Sequence, residues 1–210
     1  MTLARNSWLA GLLLLGVLAP PLAAAADEPA PRGDATRGRT LGYTCYGCHG
    51  IADYRNAYPA FHVPKIGGQH EAYLLLALNE YRQGLRSHPT MHTQAASLSE
   101  QELRDLAAYF GAGAPEGGSR AGGAAPAAAQ VCAACHGANG VGVLPEYPTL
   151  SGQHRDYVEQ ALRAYRQGTR KNPVMNGFAA ALKDEDIRVL AEYFAQQSPS
   201  LTVPQLKLAR

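Results

Sequence analysis

The chain has 210 residues, with 19 lysines and arginines against 17 aspartates and glutamates. That near balance excludes the basic block a nucleic-acid binder requires, and a net charge of +2 is too weak to steer a partner strongly. The length suits two small domains.

Residues 1–26 read as a secretory signal that is cleaved. Arg5 supplies the positive start, residues 8–18 form an uncharged apolar run, and Ala23, Ala24, Ala25 and Ala26 offer a small-residue cleavage site. A membrane anchor is the competing reading. The apolar run is shorter than the span of about 20 residues a bilayer needs, and Pro20 and Pro21 interrupt it. Cleavage removes only Arg5 among the charged residues. Export predicts a bacterial periplasmic location.

Next in chain order, a short helix is expected from Asp34, as its cap, to Tyr43. It leads into Cys45, Cys48 and His49 in "CYGCH". A helix over 71–83 is expected from Leu74, Leu78 and Tyr81 on one stripe, stopped by Gly84. Ser99 and Glu102 make a capping box for a helix through Phe110. The segment 111–123 is rich in Gly and Ala, lacks apolar periodicity and reads as a linker. The pattern then returns. A short Ala-rich helix precedes "CAACH", which holds Cys132, Cys135 and His136, and helices are expected over 155–167 and from Asp184 to about Gln196. No strand pattern appears.

The two halves are copies. "PKIGGQHEAYLLLALNEYRQGLRSHPTM", starting at Pro64, recurs 84 residues later as "PTLSGQHRDYVEQALRAYRQGTRKNPVM", starting at Pro148. The offset at the cysteines is 87, so the first copy carries three more residues between His49 and Pro64. The expected domains are 27–112 and 125–197, joined by a linker at 113–124, with 198–210 as a surface extension. Each unit is too small to bury much surface alone, and a bound group would complete its core.

Cys-x-x-Cys-His is the attachment signature of a c-type haem. Two thiols add to the porphyrin and the histidine lies under the iron. A thioredoxin-like dithiol needs no histidine after its second cysteine. A four-thiolate zinc site would have to unite pairs 87 residues apart. Two covalently bound haem c groups are therefore expected, on Cys45, Cys48, Cys132 and Cys135, with His49 and His136 as iron ligands. Apart from Met1 the chain has just two methionines, Met91 and Met175, which are repeat partners in "HPTM" and "NPVM". Each falls in an expected loop between helices, and each is assigned as the second iron ligand, a choice that raises the reduction potential.

Other residues keep two readings. His70 and His154 compete for the second ligand position, but helix starts favour a capping or surface role for them. His62, His88 and His92 have no histidine counterpart and are expected to be solvated. Arg82, Arg86, Arg166 and Arg170 either bind haem propionates or sit on solvated helix ends. Tyr73, Tyr81, Tyr157 and Tyr165 are expected to pack the core. A carbonyl opening the Pro64 or Pro148 segment is expected to accept the N–H of the iron-binding imidazole.

With paired haem motifs, paired methionines and paired "GQH…YRQG" segments in view, the chain resembles the cytochrome c4 family of bacterial di-haem class I cytochromes c. The resemblance runs from about Asp34 to Gln197. It implies an all-α fold of two tandem class I cytochrome c domains, related by a pseudo-twofold axis and each wrapped around one haem. It implies His/Met ligation at both irons, His49 with Met91 and His136 with Met175. It also implies delivery of electrons, in soluble or peripherally membrane-associated form, from a respiratory donor to a terminal oxidase or other reductase. The chain departs from the family in its long first loop and in the polar residues after Met91. The expected function is a shuttle of single electrons that catalyses no reaction of its own. The alternatives are a dedicated electron-transfer subunit or partner of a periplasmic dehydrogenase, or a di-haem redox enzyme, which would need an exchangeable iron position.

Overall fold

The computed structural model describes residues 32–113, 124–198 and 201–205, all within the unit Pro31–Arg210. The expected signal sequence and most of the expected linker lie outside them. The described residues are helical, with isolated β-bridges and no sheet.

In the first half, Asp34 caps α1 (Ala35–Leu41) by accepting from the N–H groups of Thr36 and Arg37. A 3₁₀ turn, Gly42–Cys45, tightens the chain before α2 (Tyr46–His49). There follow α3 (Glu71–Arg82), α4 (Pro89–Ala96) and α5 (Glu100–Gly111). The capping box at Ser99 and Glu102 forms as expected. Gly84 takes φ 70° just past α3, the left-handed turn that favours glycine there. The second half repeats the series with α6 (Ala129–His136), α7 (Arg155–Arg166), α8 (Pro173–Ala180) and α9 (Asp184–Ala195). Its α7 likewise ends before a left-handed glycine, Gly168 at φ 72°.

The methionine segments differ from expectation. Met91 and Met175 lie on short helices, not in loops. His88 and Asn172 are their N-caps, each accepting the methionine's own backbone N–H, and Pro89 and Pro173 fill the first turn. Proline suits that position because its missing N–H would have no helical partner there.

Each half has its own apolar core. Tyr46, Leu74, Leu106, Ala107 and Phe110 form one, and Ala129, Leu190, Tyr193 and Phe194 form the other. In both, the long helix after the proline segment packs on the helix at the end of the repeat, α3 on α5 and α7 on α9. Helix α1 also lies against α5, so closely that a Cβ on Gly38 would stand 1.9 Å from the Asp105 carbonyl oxygen.

The halves meet with the reciprocity of a pseudo-twofold axis. The Gln69 amide exchanges two hydrogen bonds with the backbone of Thr149, both 2.9 Å. The Gln153 amide does the same with Lys65, again both 2.9 Å. These are the same two repeat positions with the halves exchanged. Arg86 and its repeat partner Arg170 face each other across an antiparallel bridge, and Lys171 N–H donates to the Leu85 carbonyl at 2.7 Å.

The described part of the expected surface extension is instead built into this contact. Thr202 exchanges backbone hydrogen bonds with Gly67 at 2.9 and 3.0 Å, and Leu201 N–H donates to the Ser151 carbonyl at 3.0 Å. Leu201 is buried. The tail thus ties together Gly67 and Ser151, another repeat-related pair.

Candidate haem-attachment sites

Helix α2 carries Cys48 and His49 directly after Cys45, and α6 carries Cys132, Cys135 and His136. The last helical turn puts the histidine beside its cysteines. None of the four cysteines is paired in a disulfide. Burial pushes the Cys45 and Cys132 thiols up from their usual pKa. A redox dithiol works with a lowered thiol pKa, so these pairs are poorly built for disulfide exchange. Among the described residues no three His, Cys, Asp or Glu side chains gather to hold an ion. The two cysteine pairs are therefore not united in a zinc site.

The two histidines share one arrangement. His49 Nδ1–H donates to the Pro64 carbonyl at 2.8 Å, and His136 Nδ1–H donates to the Pro148 carbonyl at 2.9 Å. That fixes the tautomer, leaving Nε2 unprotonated and free to bind a metal. Burial lowers both pKa values, more than the proline contact restores them. His88, at the start of α4, adds a further downward push on His49, so the beginning of the Met91 helix lies near that ring. A neutral imidazole with an anchored Nδ1 beside two cysteines that form no disulfide fits a covalently held haem in each half.

The remaining residues divide: His70 and His154 stand at helix starts, His92 is exposed and Tyr165 is buried, all as expected, and others fall elsewhere. Arg86 and Arg170 are buried, and both donate to the Tyr73 hydroxyl, at 3.3 and 2.9 Å. Arg86 Nε also donates to Glu80 at 2.5 Å, and its guanidinium lies over the rings of Tyr73 and Tyr81. Arg170 lies 4.4 Å over the Tyr165 ring. Burial alone would raise the Tyr73 pKa, but the two guanidinium charges outweigh it and lower it. These arginines are therefore on neither a solvated helix end nor an open edge. Arg82 and Arg166 pair with Glu100 and Asp184, at the starts of α5 and α9.

His70 and His154 take the N-cap positions of α3 and α7 by backbone alone, since neither side chain caps. His154 stacks on His62 with centroids 4.7 Å apart. His62 is not simply solvated. Its backbone N–H and Nδ1 both donate to Asp156, at 3.2 and 2.8 Å. His88 caps α4, and the exposed His92 donates from Nδ1 to the Tyr81 carbonyl at 2.8 Å. The two glutamines were also missed. Their recurrence in "GGQH" and "SGQH" was the available signal, but nothing local said that their partners lie in the other half.

A Cytochrome c family model matches residues 35–112 and again 121–198. The chain is 35% identical over 178 residues to a cytochrome c4 of Pseudomonas aeruginosa, covering 77% of this chain and 87% of the relative. The chain belongs to the di-haem cytochrome c4 family. It is accordingly an electron-transfer cytochrome with two covalently bound haem c groups, and its two Cys-x-x-Cys-His motifs fit their attachment. A solved structure of reduced recombinant cytochrome c4 from Pseudomonas stutzeri superposes with a TM-score of 0.62 at 34% identity, covering 79% of this chain and 99% of that one. A protein of Stutzerimonas stutzeri named as a thiosulfate dehydrogenase electron acceptor is 37% identical over 169 residues, covering 72% of this chain and 77% of the relative. Among the described residues no helix is long and apolar enough to cross a membrane.

Proposed function

We propose that this cytochrome is a periplasmic electron carrier without catalysis of its own. His49 with Met91 and His136 with Met175 hold the two irons closed, and electrons pass to a terminal oxidase or another reductase. Each haem, when bound, takes up and releases one electron at its iron. The observation that carries the reading is the matched handling of the two methionines. Each is the third residue of a short helix, with its N–H held by an N-cap side chain, Met91 by His88 at 3.3 Å and Met175 by Asn172 at 3.1 Å. Filler methionine in a core is adaptable and needs no such fixed backbone.

The ligands' surroundings suit electron transfer. The proximal imidazoles are fixed by proline carbonyls on the rigid ends of α2 and α6, so neither side chain need move between oxidation states. The halves also expose different apolar side chains next to their ligand segments. Tyr43 and Ile51 flank the first motif, Val131 precedes the second, and Val174 and Phe178 stand on the Met175 helix. Thr90 and Gln94 occupy the equivalent places on the Met91 helix and are exposed and polar. Two unlike edges support entry of the electron at one haem and exit by the other, through brief docking at small interfaces.

The test is substitution of one ligand. Met175→Ala is expected to keep both haems attached, to lower the potential of one, and to let carbon monoxide bind that one alone. Carbon monoxide binding to the native reduced protein would favour an enzyme instead. A second reading draws on the thiosulfate dehydrogenase electron acceptor of Stutzerimonas stutzeri. In it, this cytochrome is the dedicated partner of a periplasmic dehydrogenase. Rapid reduction by that class of enzyme, with slow reduction by a quinol-oxidising complex, would select it.

A further inference from the structure

Each proximal histidine is connected by hydrogen bonds to the opposite half of the molecule. His49 donates to the Pro64 carbonyl. That carbonyl belongs to the same peptide group as the Lys65 N–H, and the Lys65 N–H donates to the Gln153 side-chain oxygen. In the second half, His136 donates to the Pro148 carbonyl, and the N–H of the same peptide group, on Thr149, donates to the Gln69 oxygen. The chain of contacts runs from imidazole to peptide to glutamine, and it crosses the interface twice in opposite directions.

A peptide group conjugates its N–H with its C=O. An acceptor on the hydrogen draws electron density toward the oxygen, so the carbonyl becomes a stronger acceptor for the imidazole N–H. Bonds arranged in series strengthen one another, by about 10–30% each. The effect persists here because the site is dry. Gln69 and Gln153 are each 5% exposed, and Thr149 is 1% exposed. The amide orientation is fixed by its partners. Lys65 N–H can only donate and the Lys65 carbonyl can only accept, and Gln153 answers both. The same oxygen also receives the His154 N–H, as the Gln69 oxygen receives that of His70, both at 3.0 Å. This second bond holds the glutamine side chain against its own helix start.

We propose that Gln153 tunes the proximal histidine of the first haem and Gln69 that of the second, so that each half sets the potential of the haem in the other. The inference rests on His49 and His136 being iron ligands. A polarised proline carbonyl gives the imidazole more anionic character, and a more basic ligand favours the oxidised iron. Loss of a glutamine therefore makes the opposite haem easier to reduce. These are positioning residues: they touch no haem ligand and act through one peptide group.

The test is spectroelectrochemical titration of the holoprotein carrying Gln153→Leu, Gln69→Leu or Gln153→Glu. The two redox steps are assigned to their haems by adding Met175→Ala, which displaces only the second. Gln153→Leu is expected to raise the midpoint of the first haem and leave the second in place, and Gln69→Leu is expected to do the converse. Gln153→Glu keeps an acceptor for Lys65 N–H and should hold the first haem's midpoint below that of Gln153→Leu. If Gln153→Leu does not assemble, the other two variants carry the test. The proposal is overturned if each glutamine moves the haem of its own half, if both haems move alike, or if neither moves while the ferric methionine–iron band is intact. Failure of the ligand assignment is distinct. It would appear as absence of that band in the native protein, or as a Met175→Ala titration identical to the native one.

Discussion

In the first half, the chain between His49 and Pro64 leaves its own domain. Val63 N–H donates to the Tyr54 carbonyl and Asn56 N–H to the Phe61 carbonyl, a narrow loop that lays Phe61 against Tyr157 and His62 against Asp156 on α7. In the second half, the corresponding stretch folds back on itself. Val143 N–H donates to the Cys135 carbonyl, and Leu150 and Ser151 N–H both donate to the Gly140 carbonyl. What the halves share is the machinery around the motif: the histidine on a proline carbonyl, the capped methionine helix, the reciprocal glutamine. They differ in how each reaches past its own core. Duplication preserved the chemistry and left the surroundings free to diverge, which is what two haems with unlike neighbours require.

The largest difference is a buried charge. Glu80 sits under Arg86, with side chains 8% and 5% exposed. The repeat partner of Glu80 is Ala164, and Arg170 Nε is buried without a hydrogen-bond partner among the described residues. Glu80→Ala makes the first half like the second and leaves Arg86 uncompensated. Removing one member of such a pair costs about 3–5 kcal/mol, to be read as a fall in the urea midpoint of the holoprotein. A loss below about 1 kcal/mol, the surface-pair range, would mean that another anion neutralises Arg86.

The tail comes second. It touches both halves at equivalent places, and Leu201 is 2% exposed. Leu201→Ala should cost about 2 kcal/mol or more from the lost side chain and the cavity left behind. Because Gly67 N–H donates to the Thr202 carbonyl and the N–H of residue 201 donates to the Ser151 carbonyl, those two amide protons should exchange faster in the variant. Unchanged exchange at both would show that the tail rests on the halves without joining them. This role was not legible beforehand, since a short polar-apolar tail has no periodicity to read.

The helix starts sharpen the comparison at smaller scale. The four long helices were legible because their stripes and caps are local: Ser99 with Glu102, and Gly84 with Gly168. The methionine helices escape a periodicity argument because they are only eight residues each, too short for a periodic pattern. Their start signal was nonetheless present, an N-cap residue followed by proline in "HP" and "NP". Asn172→Ala should cost about 1 kcal/mol and weaken the second methionine–iron band selectively, and His88→Ala should do so for the first. The roles of the interface glutamines and of Arg170 could not be placed, because Thr149, Lys65 and Tyr73 lie in the opposite copy and sequence records no contact between distant segments.

The smallest effect belongs to the clasp between the loop and α7, and pH isolates it. Asp156 is present only in the second copy, where its repeat partner is Ala72. Burial would raise its carboxyl pKa, but the hydrogen bonds from His62, followed by the charges of His62 and Arg55, outweigh that and lower it. A carboxyl with a depressed native pKa stabilises the fold above its unfolded value, about 4. That contribution is lost as pH falls through the native value. Asp156→Asn keeps an acceptor for the His62 backbone N–H but removes the charge. It should cost less than about 1 kcal/mol near neutrality and nothing in strong acid, where the native carboxyl is also neutral. Urea midpoints of the two proteins should therefore differ at pH 6 and converge as the pH falls through the depressed native value. A gap independent of pH would show that the loop is held by Phe61 on Tyr157 and by the stacked His62 and His154 rings, with the carboxylate a bystander. The divergence between the halves would then rest on packing instead of charge.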